Sequence, residues 1–216
     1  IFDIVEGRDP QDLEEYFAQL KGKENVRIIC MDLSSSYRAL VRKHFPNAKI
    51  VADRFHVIRV VQKHFMDLFR EFAPQIKNHR GYLAALRTHP ENLFPKQKET
   101  LNRLFKQHPA IKPIYDQMQK TNQLMRTRTV SARGAKQLIP RMLELIAMLK
   151  ASGFKPIERL AKTLAEWDEA IVCMWRFSKS NGITEGFHRK MKLIQRRAYG
   201  FKNFENYRLR VIAECG

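Results

Sequence analysis

Three acidic side chains stand where carboxylates can do chemistry. Asp32 directly follows the apolar segment 26–31, and Asp53 directly follows the segment 49–52. Both segments predict short strands, and the carboxyl edge of a sheet is where α/β folds bind their ligands. Glu185 lies in the first turn of a predicted helix near the end of the chain. Because carboxylate oxygens suit Mg²⁺, these acids are candidate metal ligands.

The two strand-end acids also have structural interpretations. Asp32 precedes a helix that serines 34–36 start, so it can be the N-cap of that helix. Asp53 can cap the next helix and pair with Arg54, and His56 beside it can be a hydrogen-bonded structural histidine. For Asp32 the spacing leaves both interpretations open, and for Asp53 and His56 it favours the structural interpretation.

The predicted helix 184–197 has two different faces. At 100° per residue, Glu185 shares one face with a basic row, and the opposite face is apolar. The basic row is Arg189, Lys192 and Arg196, and the apolar face is Phe187, Met191, Ile194 and Ala198. As an ordinary surface pair, Glu185 and Arg189 would contribute only about 0.2–0.5 kcal/mol. As a functional face, one acid followed by bases suits a metal ligand beside a phosphate-binding track.

The net charge points to a polyanionic partner. The 216 residues contain 40 Lys and Arg against 22 Asp and Glu, a net charge of +18 in a chain that is 44% hydrophobic. Basic side chains that neutralise phosphates release condensed counterions, so nucleic acid is the expected partner. Residues 1–25 are acidic on balance, residues 177–216 are basic, and residues 120–136 carry five bases and no acid. This regional charge favours a binding face, with a basic loop at 120–136, over a uniformly solvated surface.

Strand signals are confined to the start of the chain. Residues 1–5, 26–31 and 49–52 predict strands, and the helix between the last two completes a βαβ unit. From Phe55 onward the apolar spacing is that of amphipathic helices broken by prolines. A heptad-like seam at residues 157–174 is expected to pack inside a helical bundle.

The predicted fold class is therefore α/β but mostly helical, with a short mixed sheet interrupted by a large all-helical insertion. Residues 1–64 form the first part of the core, residues 65–177 the insertion, and residues 178–216 the final core helices. No apolar run reaches the roughly 18 residues of a membrane span, and the start lacks the apolar segment of a signal peptide. We therefore expect a cytoplasmic protein with no membrane partner.

Two blocks of residues carry a resemblance to a known family. The first block is Met31-Asp32-Leu33, Tyr37, Phe45-Pro46-Asn47-Ala48 and the run from Ile50 to Val57. The second block is Ser180-Asn181-Gly182, Glu185-Gly186, Lys192, the run from Arg196 to Phe201, and Asn203-Phe204. Together they resemble bacterial insertion-sequence transposases of the ISL3 family, which belong to the DDE group and have an RNase H-like catalytic core. The resemblance covers nearly the whole chain in matching order.

The resemblance implies a mechanism and its residues. DDE transposases use three carboxylates to hold two Mg²⁺ ions, with Mn²⁺ as a substitute, for attack on a phosphodiester. Asp32 matches the second carboxylate and Glu185 the third, while Asp53 and His56 match a motif that either supports the metal site or fixes a strand-to-helix junction. The expected partners are transposon-end and target DNA, with a homodimer in the full-length protein and a nucleoid-associated location. The bases expected to contact DNA are Arg126, Arg128, Arg133, Lys136, Arg189, Lys192, Arg196, Arg197 and Lys202.

The first carboxylate of the family has no match here. It belongs on an earlier strand, and residues 1–5 look like the third strand of the core. We therefore expect the first carboxylate to lie upstream and this fragment alone to be inactive. Asp3 is not expected to replace it. The alternative function is a non-catalytic or domesticated nucleic-acid-binding protein with the transposase fold.

Overall fold

The computed structural model describes residues 3–7, 9–129, 131–177 and 182–216, and the side chains of residues 10 and 182–185 lie outside this description. The strands are β1 (Ile28–Met31) and β2 (Lys49–Ala52). The helices are α1 (Pro10–Gln19), α2 (Ser35–His44), α3 (Arg54–Phe72), α4 (Arg80–Arg87), α5 (Pro95–Gln107), α6 (Ile111–Arg126), α7 (Ala132–Gln137), α8 (Ile139–Lys150), α9 (Lys155–Glu166), α10 (Asp168–Arg176), α11 (Gly182–Arg197) and α12 (Phe204–Cys215). Short 3₁₀ turns cover Lys23–Asn25, Pro74–Asn78 and Pro90–Asn92.

The chain divides into two compact units. The first unit comprises residues 1–50 and 179–216, and the second comprises residues 51–178. The division falls within β2, whereas the predicted boundary after residue 64 falls inside α3. The three functional segments drawn from the sequence stay a prediction.

The strand, helix and second strand expected near the start are confirmed. β1 and β2 form a parallel two-stranded sheet, and the backbone N–H of Lys49 donates to the carbonyl of Arg27 at 2.9 Å. A parallel pair needs a crossover connection, which α2 supplies here. After α2 the chain turns through a hydrogen bond from Ala48 N to Phe45 O at 3.0 Å and enters β2. The described structure is therefore mostly helical with a small parallel sheet.

The strand expected at residues 1–5 is wrong for the described residues 3–5, which have no regular secondary structure. Asp3 instead accepts two hydrogen bonds from Arg208, at 2.7 Å from Nε and 3.1 Å from Nη2. These hydrogen bonds lower the pKa of the Asp3 carboxyl. Ile4 packs against a buried cluster on α11 and α12 formed by Ile194, Val211 and Cys215. The segment buries its apolar side against helices, so it needs no neighbouring strand.

The first helix, α1, packs against α2. Asp9 N donates to the carboxylate of Asp12 at 2.9 Å, which stabilises the start of α1;. The ring of Phe17 on α1 meets Phe45 edge-on, with 5.2 Å between ring centroids. This contact and an ion pair between Glu14 and Lys43 join α1 to the end of α2.

The second unit is a helical bundle around α3, which packs against α6 and α9. The buried side of α3 is apolar and includes Val57, Val61, Phe65, Leu68 and Phe69. The seam expected at residues 157–174 is confirmed as an internal one, since Ile157, Leu160, Leu164, Trp167, Ile171 and Met174 are all buried. The seam spans α9 and α10, because the backbone breaks at Trp167, which has φ −117° and ψ 17°.

Candidate functional site

Asp32 is exposed and directly follows β1. The N-cap of α2 is Ser34, whose hydroxyl oxygen accepts the backbone N–H of Tyr37 at 3.4 Å. Asp32 contributes its backbone carbonyl to the turn, accepting Ser34 N at 2.7 Å. The capping interpretation of the Asp32 carboxylate is therefore wrong, and the ligand interpretation stays a prediction.

Asp53 is the N-cap of α3, as the structural interpretation expected. It is 3% exposed, and its Oδ2 accepts the backbone N–H of His56 at 3.4 Å. Its Oδ1 is buried with no hydrogen-bond partner among the described residues. His56 lies half-buried in the first turn of α3. Both residues thus lie at the junction between β2 and α3.

Arg54 does not pair with Asp53 as expected. Its Nη1 donates to the carbonyls of Met125 at 3.0 Å and Thr127 at 2.5 Å, and its Nη2 donates to the carbonyl of Met174 at 2.6 Å. These carbonyls belong to the C-terminal ends of α6 and α10, where a cation is favoured by the helix dipole. Burial, and to a smaller extent the charge of Arg128, lowers the pKa of Arg54.

Sequence reasoning missed this anchoring role of Arg54. A cation in the first turn of a helix is disfavoured by the helix dipole, so its presence there signals a specific interaction. The sequence could not show that the accepting carbonyls lie 71–120 residues further along the chain.

Helix α11 exposes the basic row that the sequence predicted. Arg189, Lys192 and Arg196 are exposed, and Arg197 and Lys202 near the helix end are exposed as well. On the other side, Ile194 is buried and Phe187 and Met191 pack around it. The helix begins at Gly182, two residues before the start expected from the sequence. Position 185 lies on the face of the basic row by helical spacing, and the side chain of Glu185 is outside the described residues;.

The basic segment 120–136 is mostly helical, so the loop expected there is wrong. It covers the end of α6, a short connection and most of α7. Arg128, Arg133 and Lys136 are exposed. Arg126 is half-buried, and its Nη1 is buried with no hydrogen-bond partner among the described residues. Arg126 is thus less available to DNA than the three other bases.

Arg128 lies in a connection that is anchored on both sides. The carbonyl of Thr127 accepts from Arg54, and Thr129 N donates to the carbonyl of Trp175 at 2.8 Å. Trp175 is itself buried, and its indole N–H donates to the carbonyl of Leu124 at 3.0 Å. The backbone that carries the exposed Arg128 side chain is therefore fixed by hydrogen bonds on both sides.

Two features are absent from the described part of the chain. No group of three or more His, Cys, Asp or Glu residues there is arranged to hold a metal ion. Among the same residues, no helix combines the length and the apolar character needed to cross a membrane.

Comparison with known proteins identifies the family. A family model described as "Transposase" (DDE_Tnp_ISL3) matches residues 1–211. A transposase for insertion sequence element IS1001 from Bordetella parapertussis is 24% identical over 221 residues, covering 97% of this chain and 53% of the relative. The chain thus spans about half the length of this curated relative. No solved structure matches. This chain belongs to the ISL3 family of DDE transposases.

Proposed function

We propose that this chain is the part of an insertion-sequence transposase that holds divalent metal ions for DNA cleavage and strand transfer. Asp32 and Glu185 are the proposed ligands. The observation that carries the proposal is the position of Asp32. This residue is exposed directly after β1, and the cap of α2 is Ser34. Membership in a DDE family supports the same assignment.

The donor set suits Mg²⁺ or Mn²⁺. Both proposed ligands supply carboxylate oxygens, and both belong to the first compact unit. Mg²⁺ is commonly held by one or two carboxylates, with water and substrate phosphates completing its coordination. The order β1, α2, β2 supports placing these residues in an RNase H-like core made of residues 1–64 and 178–216 around the insertion 65–177.

Each proposed residue has a separate task. When bound, Mg²⁺ supplies Lewis-acid stabilisation of the charge that develops on the phosphodiester oxygens. The basic row Arg189, Lys192 and Arg196 holds the DNA backbone on the helix face where position 185 lies. Asp53, as the cap of α3, fixes the junction that carries His56. Homodimerisation of the complete transposase stays a prediction.

Metal binding tests the proposed ligands. Asp32→Asn and Glu185→Gln are each expected to weaken Mn²⁺ binding at least about tenfold, since losing even an outer-shell partner of a metal ligand typically costs ten- to a hundredfold. Mn²⁺ titration of the complete transposase, followed by electron paramagnetic resonance, measures this affinity. Glu15→Gln, which removes an exposed carboxylate from α1, is the matched control and should bind as the original chain does.

Two results would contradict the assignment. If the Asp32 and Glu185 variants bind Mn²⁺ as tightly as the control does, neither residue is a metal ligand. A complete transposase that binds duplex DNA but no Mn²⁺ would instead support the non-catalytic DNA-binding alternative.

The basic row is tested by the salt dependence of DNA binding. The double variant Arg189→Ala with Lys192→Ala is expected to lower the slope of log affinity against log salt by about 2, because each lost phosphate contact lowers it by about 1. Fluorescence anisotropy with a 20-base-pair duplex measures the slope. Lys98→Ala with Lys106→Ala, two exposed lysines of α5, is the matched control. An equal slope in both double variants would argue against the basic row.

A further inference from the structure

A cleft of about 770 Å³ runs along α3 and ends at the last turn of α4. All of its described lining residues belong to the second unit, whereas the basic row of α11 belongs to the first unit. Gln62 donates from Nε2 to the carbonyl of Arg87 at 3.0 Å, which joins the two helices at the cleft. The apolar part of its lining comprises Phe55, Val60 and Met66, of which Met66 is 1% exposed. The cleft is thus formed by one side of α3 and the end of α4.

The lining of this cleft is cationic. Arg59, Lys63 and Arg87 contribute three positive charges. Asp67 is the only acid among the described lining residues, and it pairs with Arg70 through Oδ1 and Nη1 at 2.7 Å. Arg59 and Lys63 are four residues apart on α3, and like charges at this spacing destabilise a helix by about 0.2–0.5 kcal/mol. A cleft with this charge is complementary to phosphate groups.

An exposed aromatic side chain lies beside these cations. Phe55 is 56% exposed, lines the cleft and stands one turn before Arg59 on α3. The guanidinium carbon of Arg59 lies 5.7 Å from the centroid of the Phe55 ring. The aromatic ring and the two cations therefore form the row Phe55, Arg59 and Lys63 at positions i, i+4 and i+8. Exposed aromatics beside cations are the groups on which unpaired bases stack.

We infer that this cleft binds an unpaired DNA strand, with Arg59, Lys63 and Arg87 on its phosphates and Phe55 stacked on a base. A volume of this size holds a small molecule, which corresponds to one or two nucleotides and is too small for a duplex. The inference rests on the proposed DNA-processing function, because cutting and joining DNA exposes strand ends. It assigns to the second unit a single-strand contact that is separate from the duplex contact proposed for α11.

Binding of a fluorescent twelve-nucleotide oligo(dT) to the 216-residue chain tests the cleft. The triple variant Arg59→Ala, Lys63→Ala and Arg87→Ala is expected to lose at least about tenfold in affinity. Its salt slope should fall by about 2, since each phosphate contact to a single strand contributes about 0.7. Phe55→Ala is expected to lose about fivefold to a hundredfold in affinity with an unchanged salt slope, because stacking involves no counterion release.

Matched variants separate this inference from the proposed function. The α11 double variant should weaken duplex binding and leave oligo(dT) binding nearly unchanged, and the α5 double variant should change neither. Cleft variants that bind oligo(dT) as the α5 control does would overturn the inference while the α11 result still supports the proposed function. Cleft variants that lose duplex and oligo(dT) binding equally would also overturn it, because the cleft would then be a general backbone surface. Phe55→Leu, which removes the ring and keeps an apolar side chain, is measured beside Phe55→Ala. If its thermal unfolding midpoint is unchanged, weaker oligo(dT) binding by this variant comes from the lost ring and not from a folding defect.

Discussion

Replacing Asp32 with asparagine is expected to reduce transposition by at least about a hundredfold. A bound divalent ion contributes several kcal/mol to stabilising a phosphoryl transition state, and each 1.36 kcal/mol corresponds to a factor of ten in rate. Asparagine keeps the shape of the side chain and removes the negative charge that the ion needs. Because Ser34 caps α2, the substitution should leave the helix start intact. Glu185→Gln is expected to give a loss of similar size.

The frequency at which the complete transposase moves a marked insertion sequence in cells measures this effect. Glu15→Gln is the control, and Ser34→Ala adds a second comparison because it removes the cap of α2 and keeps Asp32. Loss of an N-cap typically costs about 1 kcal/mol of stability, so Ser34→Ala should retain most of the activity. Transposition near the original frequency with Asp32→Asn would exclude Asp32 as a metal ligand.

The sequence was most informative where burial follows a local apolar pattern. The seam from Ile157 to Met174 is buried at every predicted position, because the spacing of apolar residues alone decides which helix face is covered;. The same reasoning correctly separated the two faces of α11, with Ile194 buried and Arg189 exposed. The break at Trp167 was not predictable, because neither glycine nor proline marks it.

The end of helix α6, at residues 120–126, was expected to be part of a basic loop, and its buried face is partly polar. Thr121 and Asn122 are each 1% exposed, and neither amide atom of Asn122 has a hydrogen-bond partner among the described residues. Polar residues at buried positions break the apolar spacing on which the prediction relies. Pro113 near the helix start adds a second misleading signal, since proline is tolerated in the first turn of a helix;.

The candidate site was predictable in its residue types and less so in its geometry. An acid after each strand was visible in the sequence, yet the choice of Ser34 over Asp32 as a cap depends on backbone hydrogen bonds. The opposite result at Asp53, which does cap its helix, shows that identical residue types after two neighbouring strands can have different structural tasks. Arg54 depends on contacts with residues far along the chain, which no local pattern contains.

Arg54→Met is expected to destabilise the second unit by about 3–5 kcal/mol. Methionine fills a similar volume and removes the guanidinium that donates to Met125, Thr127 and Met174;. Hydrogen bonds to charged groups contribute about 1.5–3 kcal/mol each, and three bonds from one side chain are not additive. Arg54→Lys should lose part of this stability, because an ammonium group lacks the planar fork that reaches several carbonyls at once.

Denaturant unfolding followed by tryptophan fluorescence measures this effect selectively. Both tryptophans of the chain, Trp167 and Trp175, lie in the second unit, so their emission reports on the unit that Arg54 holds together. Arg103→Met, an exposed arginine of α5, is the matched control and should stay within about 0.5 kcal/mol of the original chain;. If Arg54→Met unfolded at the same denaturant concentration as the control, the three carbonyls would be satisfied without the guanidinium. If it is strongly destabilised, the start of α3 and the exposed Arg128 depend on one half-buried cation. That dependence couples the fold of the helical unit to its proposed contact with DNA.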